Sequence, residues 1–187
     1  MEFCKLRIAW SVAWGVLAVL LVVLWVRSYG PSEHSQRTRM AHDYLTMWRP
    51  SRLGVESEGH PLDHAAGDQY QSVVIGDTIW FASVRAGKLE LYGRIVVGQV
   101  TNQTGASRAL GTDDLIRAKY HVLPVEGTIH PSVIRDIHHL STRLRFADSG
   151  PDRLIIEPTR LVTADQLIPL RTLNPESASL LARALDQ

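Results

Sequence analysis

The sequence predicts an α+β chain: an N-terminal transmembrane helix, then a small domain on a curved, barrel-like antiparallel sheet with short helices. Three observations lead there. An uncharged apolar run, Ile8 to Val26, stands near the start of the chain. A strand–turn–strand pattern with internal glycines fills residues 72–100. No alternating strand–helix rhythm follows it, which argues against a parallel, doubly wound sheet. The expected layout is an anchor over 1–27, a linker over 28–40 and a domain over 41–187.

The run Ile8–Val26 has 19 residues. At about 1.5 Å per residue it spans roughly 28 Å, close to a hydrocarbon core of about 30 Å. Trp10 and Trp14 stand near one end and Trp25 and Tyr29 near the other, as interface-seeking rings do. The competing reading is a cleaved signal peptide, with Ser28-Tyr29-Gly30 as a weak small-x-small site. The run exceeds the usual signal core of about 7–15 residues, which favours an anchor and hence a single-pass membrane protein. Lys5, Arg7 and the terminal amine on one side balance Arg27, Arg37 and Arg39 on the other, so the side on which the body lies stays open. Residues 28–40 are polar with no apolar period and read as a linker.

Asp43 to Trp48 is an apolar and aromatic stretch that predicts the first strand. Residues 49–72 show no sustained period and read as a long loop, with one helical turn near Asp63–Asp68. Thr78 to Val84 is rich in β-branched and aromatic residues. Arg85 to Lys88 is a turn, and Leu89 to Val100 a long second arm interrupted by Gly93, where a bulge or bend is expected. Such a bent arm is a device for closing a barrel. Further on the sequence predicts a short helix over 114–118 behind Asp113, a strand over 120–125, a helix over 132–140 and short strands over 142–146 and 154–156. Asn174 and Pro175 open a last helix, with Ala178, Leu181 and Leu185 on one face.

Composition excludes several function classes. The formal net charge is +1, and from Met40 onward 15 Lys+Arg face 17 Asp+Glu. The body lacks the basic excess of a protein held mainly by phosphate contacts or by an anionic lipid surface. A single cysteine, Cys4, rules out an intrachain disulfide and a cysteine-based zinc site. His60 and His64 flank a carboxylate at helical ligand spacing, but Pro61 opposes a helix there and the stretch reads as a solvated loop. His138-His139 points to two different faces. No phosphate-binding loop, nucleophile elbow or HExxH is present, so no catalytic residue, metal or cofactor is implied.

Tyr44-Leu45-Thr46-Met47-Trp48, then Gly76-Asp77 entering an aromatic strand, then GKLELYGRIVVGQV, and finally PLRTLNPE over 169–176 occur in this order. In that order the chain resembles the PUA-like superfamily and, within it, the EVE-type domains, over about residues 43–187. The anchor segment resembles the start of small bacterial single-span membrane proteins, which implies no activity. The PUA-like resemblance implies a pseudobarrel whose pocket reads a modified nucleobase or nucleic acid. It also implies ligand contacts from Trp48 and Arg52 in the loop behind it, from Trp80 and from Arg171. Trp80 and Phe81 are strand neighbours and point to opposite faces, so one is core. The expected function is a non-catalytic ligand-recognition domain tethered to a membrane. The alternative is a membrane-anchored structural or protein-interaction module whose partner the residues do not specify.

Overall fold

A computed structural model describes residues 40–48, 62–129, 131–154 and 162–187. All but Met40 belong to a compact unit spanning Ala41–Gln187. Seven strands form one sheet: β1 (Asp43–Met47), β2 (Ala65–Ala66), β3 (Thr78–Arg85), β4 (Lys88–Thr101), β5 (His121–Pro124), β6 (Arg135–Asp136) and β7 (Arg171–Thr172). Their order is β2-β5-β4-β3-β1-β7, with β6 paired to β4 beside β5. Among the described residues two α-helices accompany them, α1 (Gln103–Leu110) and α2 (Pro175–Leu185).

The β3–β4 hairpin is the spine. Its register runs from Thr78↔Val96 to Arg85↔Lys88 and slips between Phe81 and Ala82, where Tyr92 is the extra residue on β4. Gly93 lies beside the slip at φ 145°, a conformation that a side chain resists. A Cβ there would meet Leu62 at 2.5 Å, so the glycine also admits Leu62 to the core. Beyond Val96 the strand changes partner, and Val97–Thr101 pair with β5.

β3 is buried along most of its length because both faces of the sheet are covered. Leu45, Trp80, Ala82, Leu89 and Leu91 point one way, into a core closed by Leu180 and Leu181 of α2. Tyr44, Ile79, Phe81, Tyr92 and Ile95 point the other way, against Leu62, Tyr70 and Val73 of the connecting segment. Asn174 caps α2 by accepting a hydrogen bond from the Ser177 amide at 2.8 Å, a contact worth about 1 kcal/mol. The Ser177 hydroxyl accepts from the Arg145 amide at 2.8 Å and ties the helix to the chain before β7.

Two expectations about the fold are corrected. Among the described residues the sheet does not close into a barrel. Its ends, β2 and β7, are two residues long and do not pair with each other, and β1 runs parallel to β3. The fold is a mixed α/β domain on an open sheet. Nor does any helix among the described residues have the length and apolarity to cross a membrane. α1 and α2 have 8 and 11 residues, whereas a span needs about 20. The run Ile8–Val26, on which the single-pass location rested, lies outside the described residues. The expected transmembrane fold and membrane location are corrected to a domain with no spanning helix among its described elements.

Smaller differences have local causes. The segment 114–118 is irregular, and the helix forms earlier, as α1, with Asn102 as its cap. The segment 132–140 forms β6 and a single 3₁₀ turn at His138–Leu140, because the Val133 and Ile137 amides donate to the Tyr92 and Leu89 carbonyls of β4. Residues 142–146 make a turn that ends in one bridge, Phe146 to Leu173.

Candidate ligand-binding site

A cleft of about 430 Å³ opens where β1 ends. That volume falls within the range of about 300–1,000 Å³ usual for small-ligand sites. Trp48 stands at its wall, one residue past β1, with its amide bonded to the Ala82 carbonyl at 2.6 Å. The indole is half-buried and meets the Phe81 ring edge-on, with centroids 5.1 Å apart at 62°. That contact fixes the ring plane, as edge-to-face pairs do. Ile116 and Ile168, both more than a third exposed, add apolar surface.

The polar wall comes from the segment Asp63–Tyr70 and from the chain behind α1. His64 precedes β2 and its Nδ1 lies 2.8 Å from an Asp63 carboxylate oxygen. Tyr70 lies in the 3₁₀ turn Asp68–Ser72 and is 3% exposed. Burial pushes its phenol well above the usual tyrosine value, against the opposing pull of Gln69 and Thr46. The group therefore stays protonated through the neutral range. Arg117 reaches the cleft from the loop after α1.

Behind His64 lies a second imidazole that sequence reasoning did not single out. His121, at the start of β5, is fully buried and stacks on His64 with centroids 6.4 Å apart at 18°. The Gln103 side-chain oxygen lies 3.0 Å from its Nε2 and also accepts from the Ala118 amide. Burial, and then the neighbouring His64, lower the His121 pKa, while the Ala118 carbonyl opposes the shift. A depressed imidazole pKa means that the unfolded chain takes up the proton first. The stability tied to His121 is full above its unfolded value near pH 6.5 and is lost as pH falls from there through the folded value. His121→Gln is therefore expected to flatten the dependence of the urea midpoint on pH between about pH 5 and 7. Identical slopes in the two proteins would show that His121 does not titrate on unfolding.

Of the four residues singled out in the sequence, the structure brings Trp48 to the cleft. Trp80 is 1% exposed, on the opposite face of β3 from Phe81, and its Nε1 donates to Asp43 at 2.9 Å. Arg171 is 6% exposed and its guanidinium binds the Asp148 carboxylate. Both are committed to packing, and neither faces the cleft. Arg52 lies outside the described residues. Comparison with protein-family models, curated proteins and solved structures finds no match to this chain.

Proposed function

We propose that this domain is a non-catalytic recognition module for a planar, hydrogen-bonding ligand of the nucleobase kind, taken into the cleft against Trp48. The observation that carries the reading is the placement of Trp48: a half-buried indole, packed edge-on against Phe81, at the wall of a cleft that polar groups also line. A ring fixed in this way loses little freedom when a second ring stacks on it. His64 and Arg117 supply imidazole and guanidinium groups for the edges of a heterocycle. The mildly acidic body fits recognition of a base or nucleoside better than tracking of a phosphate backbone.

Calorimetric titration of the full chain with a panel of unmodified and modified nucleosides tests the proposal. At least one nucleoside is expected to bind, and Trp48→Ala is expected to weaken it about tenfold, since stacking of a base on an aromatic ring is worth roughly 1–3 kcal/mol. Trp48→Phe retains a ring and is expected to lose less. No binding to any nucleoside, or binding unchanged by Trp48→Ala in a chain that still unfolds cooperatively, would overturn the proposal.

A further inference from the structure

A second concavity, of about 580 Å³, lies between α1 and the loop that follows it. Thr104, Ser107 and Arg108 line it from one face of α1, at the i, i+3, i+4 spacing that brings helix side chains together. Thr112 and Arg117 line it from the loop. The frame is fixed at several points. Asn102 caps the first turn of α1, and Gly111 ends the helix at φ 69° with its amide on the Ser107 carbonyl. The end of the loop is pinned by two successive amides: that of Ala118 donates to Gln103, and that of Lys119 donates to Asp68 at 3.0 Å.

Neither Arg108 nor Arg117 has an ion-pair partner among the described residues. Arg108 stands in the last turn of α1, where the helix dipole favours a cation. Arg117 has no such reason to be there. Among the described residues one acid, Asp113, also lines the concavity, leaving an excess of one positive charge with three hydroxyls. This concavity and the Trp48 cleft are neighbours. Arg117 lines both, and Gln103, which lines the second, bonds the His121 that stacks on the cleft's His64.

We infer that this concavity is a phosphoryl subsite of the same ligand site, with Arg108 and Arg117 as its cations and Arg117 at the junction with the base cleft. The inference rests on the Trp48 reading and narrows its ligand to a base carrying a phosphoryl group. Guanidinium groups match the oxygens of a phosphate with two parallel donors, and hydroxyls complete the set. The same chemistry is offered by a free mononucleotide and by a nucleotide within a strand.

The test compares adenosine and guanosine with AMP, GMP and a short single-stranded oligonucleotide, together with inorganic phosphate alone, on the full chain. A mononucleotide is expected to bind about tenfold more tightly than its nucleoside, the worth of one charge-assisted hydrogen bond. Arg108→Gln is expected to remove that gain and leave nucleoside affinity unchanged, because Arg108 lines only the second concavity. The gain is expected to shrink with added salt, since both cations are exposed. A mononucleotide that matches the oligonucleotide assigns a free nucleotide as ligand, whereas a tighter oligonucleotide assigns a strand. Equal affinities for nucleoside and nucleotide overturn the subsite and leave the Trp48 reading standing. Arg108-dependent binding of inorganic phosphate with no nucleoside binding overturns that reading and detaches the subsite from it. A phosphoryl gain that survives Arg108→Gln combined with Arg117→Gln overturns the assignment of the cations.

Discussion

Trp80→Ala is expected to cost about 3–5 kcal/mol of unfolding free energy, as truncation of a large buried aromatic does. Trp80 is 1% exposed at the centre of the sheet, opposite Leu45 on β1 and Arg94 on β4. Its Nε1 donates to Asp43 across the parallel pair, and the Arg94 guanidinium lies 5.2 Å from its ring centroid. The substitution leaves a cavity, an acceptor without its donor and a cation without its ring. A small domain holds only about 5–15 kcal/mol in total, so the variant would lie close to the folding threshold. Trp80→Phe keeps most of the volume and removes the indole donor, with an expected cost nearer 1 kcal/mol. Urea unfolding of both variants reads these values. A loss below about 1 kcal/mol for Trp80→Ala would place the ring outside the core.

The second large effect is expected at the Arg171–Asp148 pair. The Asp148 carboxylate accepts from Arg171 Nε at 2.7 Å and Nη2 at 3.0 Å, and also from the amides of Thr172 and Gly150. Arg171 additionally donates to the Pro151 carbonyl and lies 4.0 Å from the Phe146 ring centroid. Removal of one member leaves the other largely buried without its partner, at a cost of about 3 kcal/mol for Arg171→Ala. Acid sensitivity follows from the same geometry. Burial works to raise the Asp148 pKa, but Arg171 and the two amides outweigh it and hold the group below the usual carboxylate value. A depressed folded value means that this stability is present above the unfolded value near pH 4 and is lost as pH falls through the folded one. Asp148→Asn is thus expected to lose stability at neutral pH and to show a shallower further loss below about pH 4. Parallel acid profiles for the two proteins would contradict the pairing.

The elements that were legible in the sequence owe their form to local chemistry. The β3–β4 hairpin shows in β-branched and aromatic runs on either side of Arg85–Lys88, and α2 shows in Asn174 and Pro175. α1 was not legible because its residues are polar and Gly105 interrupts them, although Asn102 and Gly111 bracket it as cap and stop. The parallel pairing of β1 with β3 was not legible either. It depends on the long connection Trp48–Asp77, which has room for a crossover, and no local period records the direction of pairing. The barrel expectation failed for a similar reason. Bulges on β4 bend the sheet, but closure requires pairing at the edges, and two-residue edge strands carry no sequence signal.

The site divides along the same line. Trp48 was legible as an aromatic at the end of a strand and the start of a loop. Trp80 and Arg171 have residue types suited to a site, but burial and an ion pair commit them to the core, and only tertiary contacts reveal that. His121 and Arg117 carry no local sequence signal, because what marks them is proximity in space to His64 and to the cleft.

On the proposed function, the ligand enters at Trp48 and not at Trp80. The indole N–H signals of the isotope-labelled full chain test it most directly, once Trp48→Phe and Trp80→Phe have assigned them. During titration with the tightest-binding nucleoside or nucleotide, the Trp48 signal and the amides of Ala65–Gly67 are expected to move in step with occupancy. The Trp80 signal, bonded to Asp43 within the core, is expected to stay in place. Saturating ligand that moves the Trp80 signal and leaves Trp48 unmoved would contradict the account.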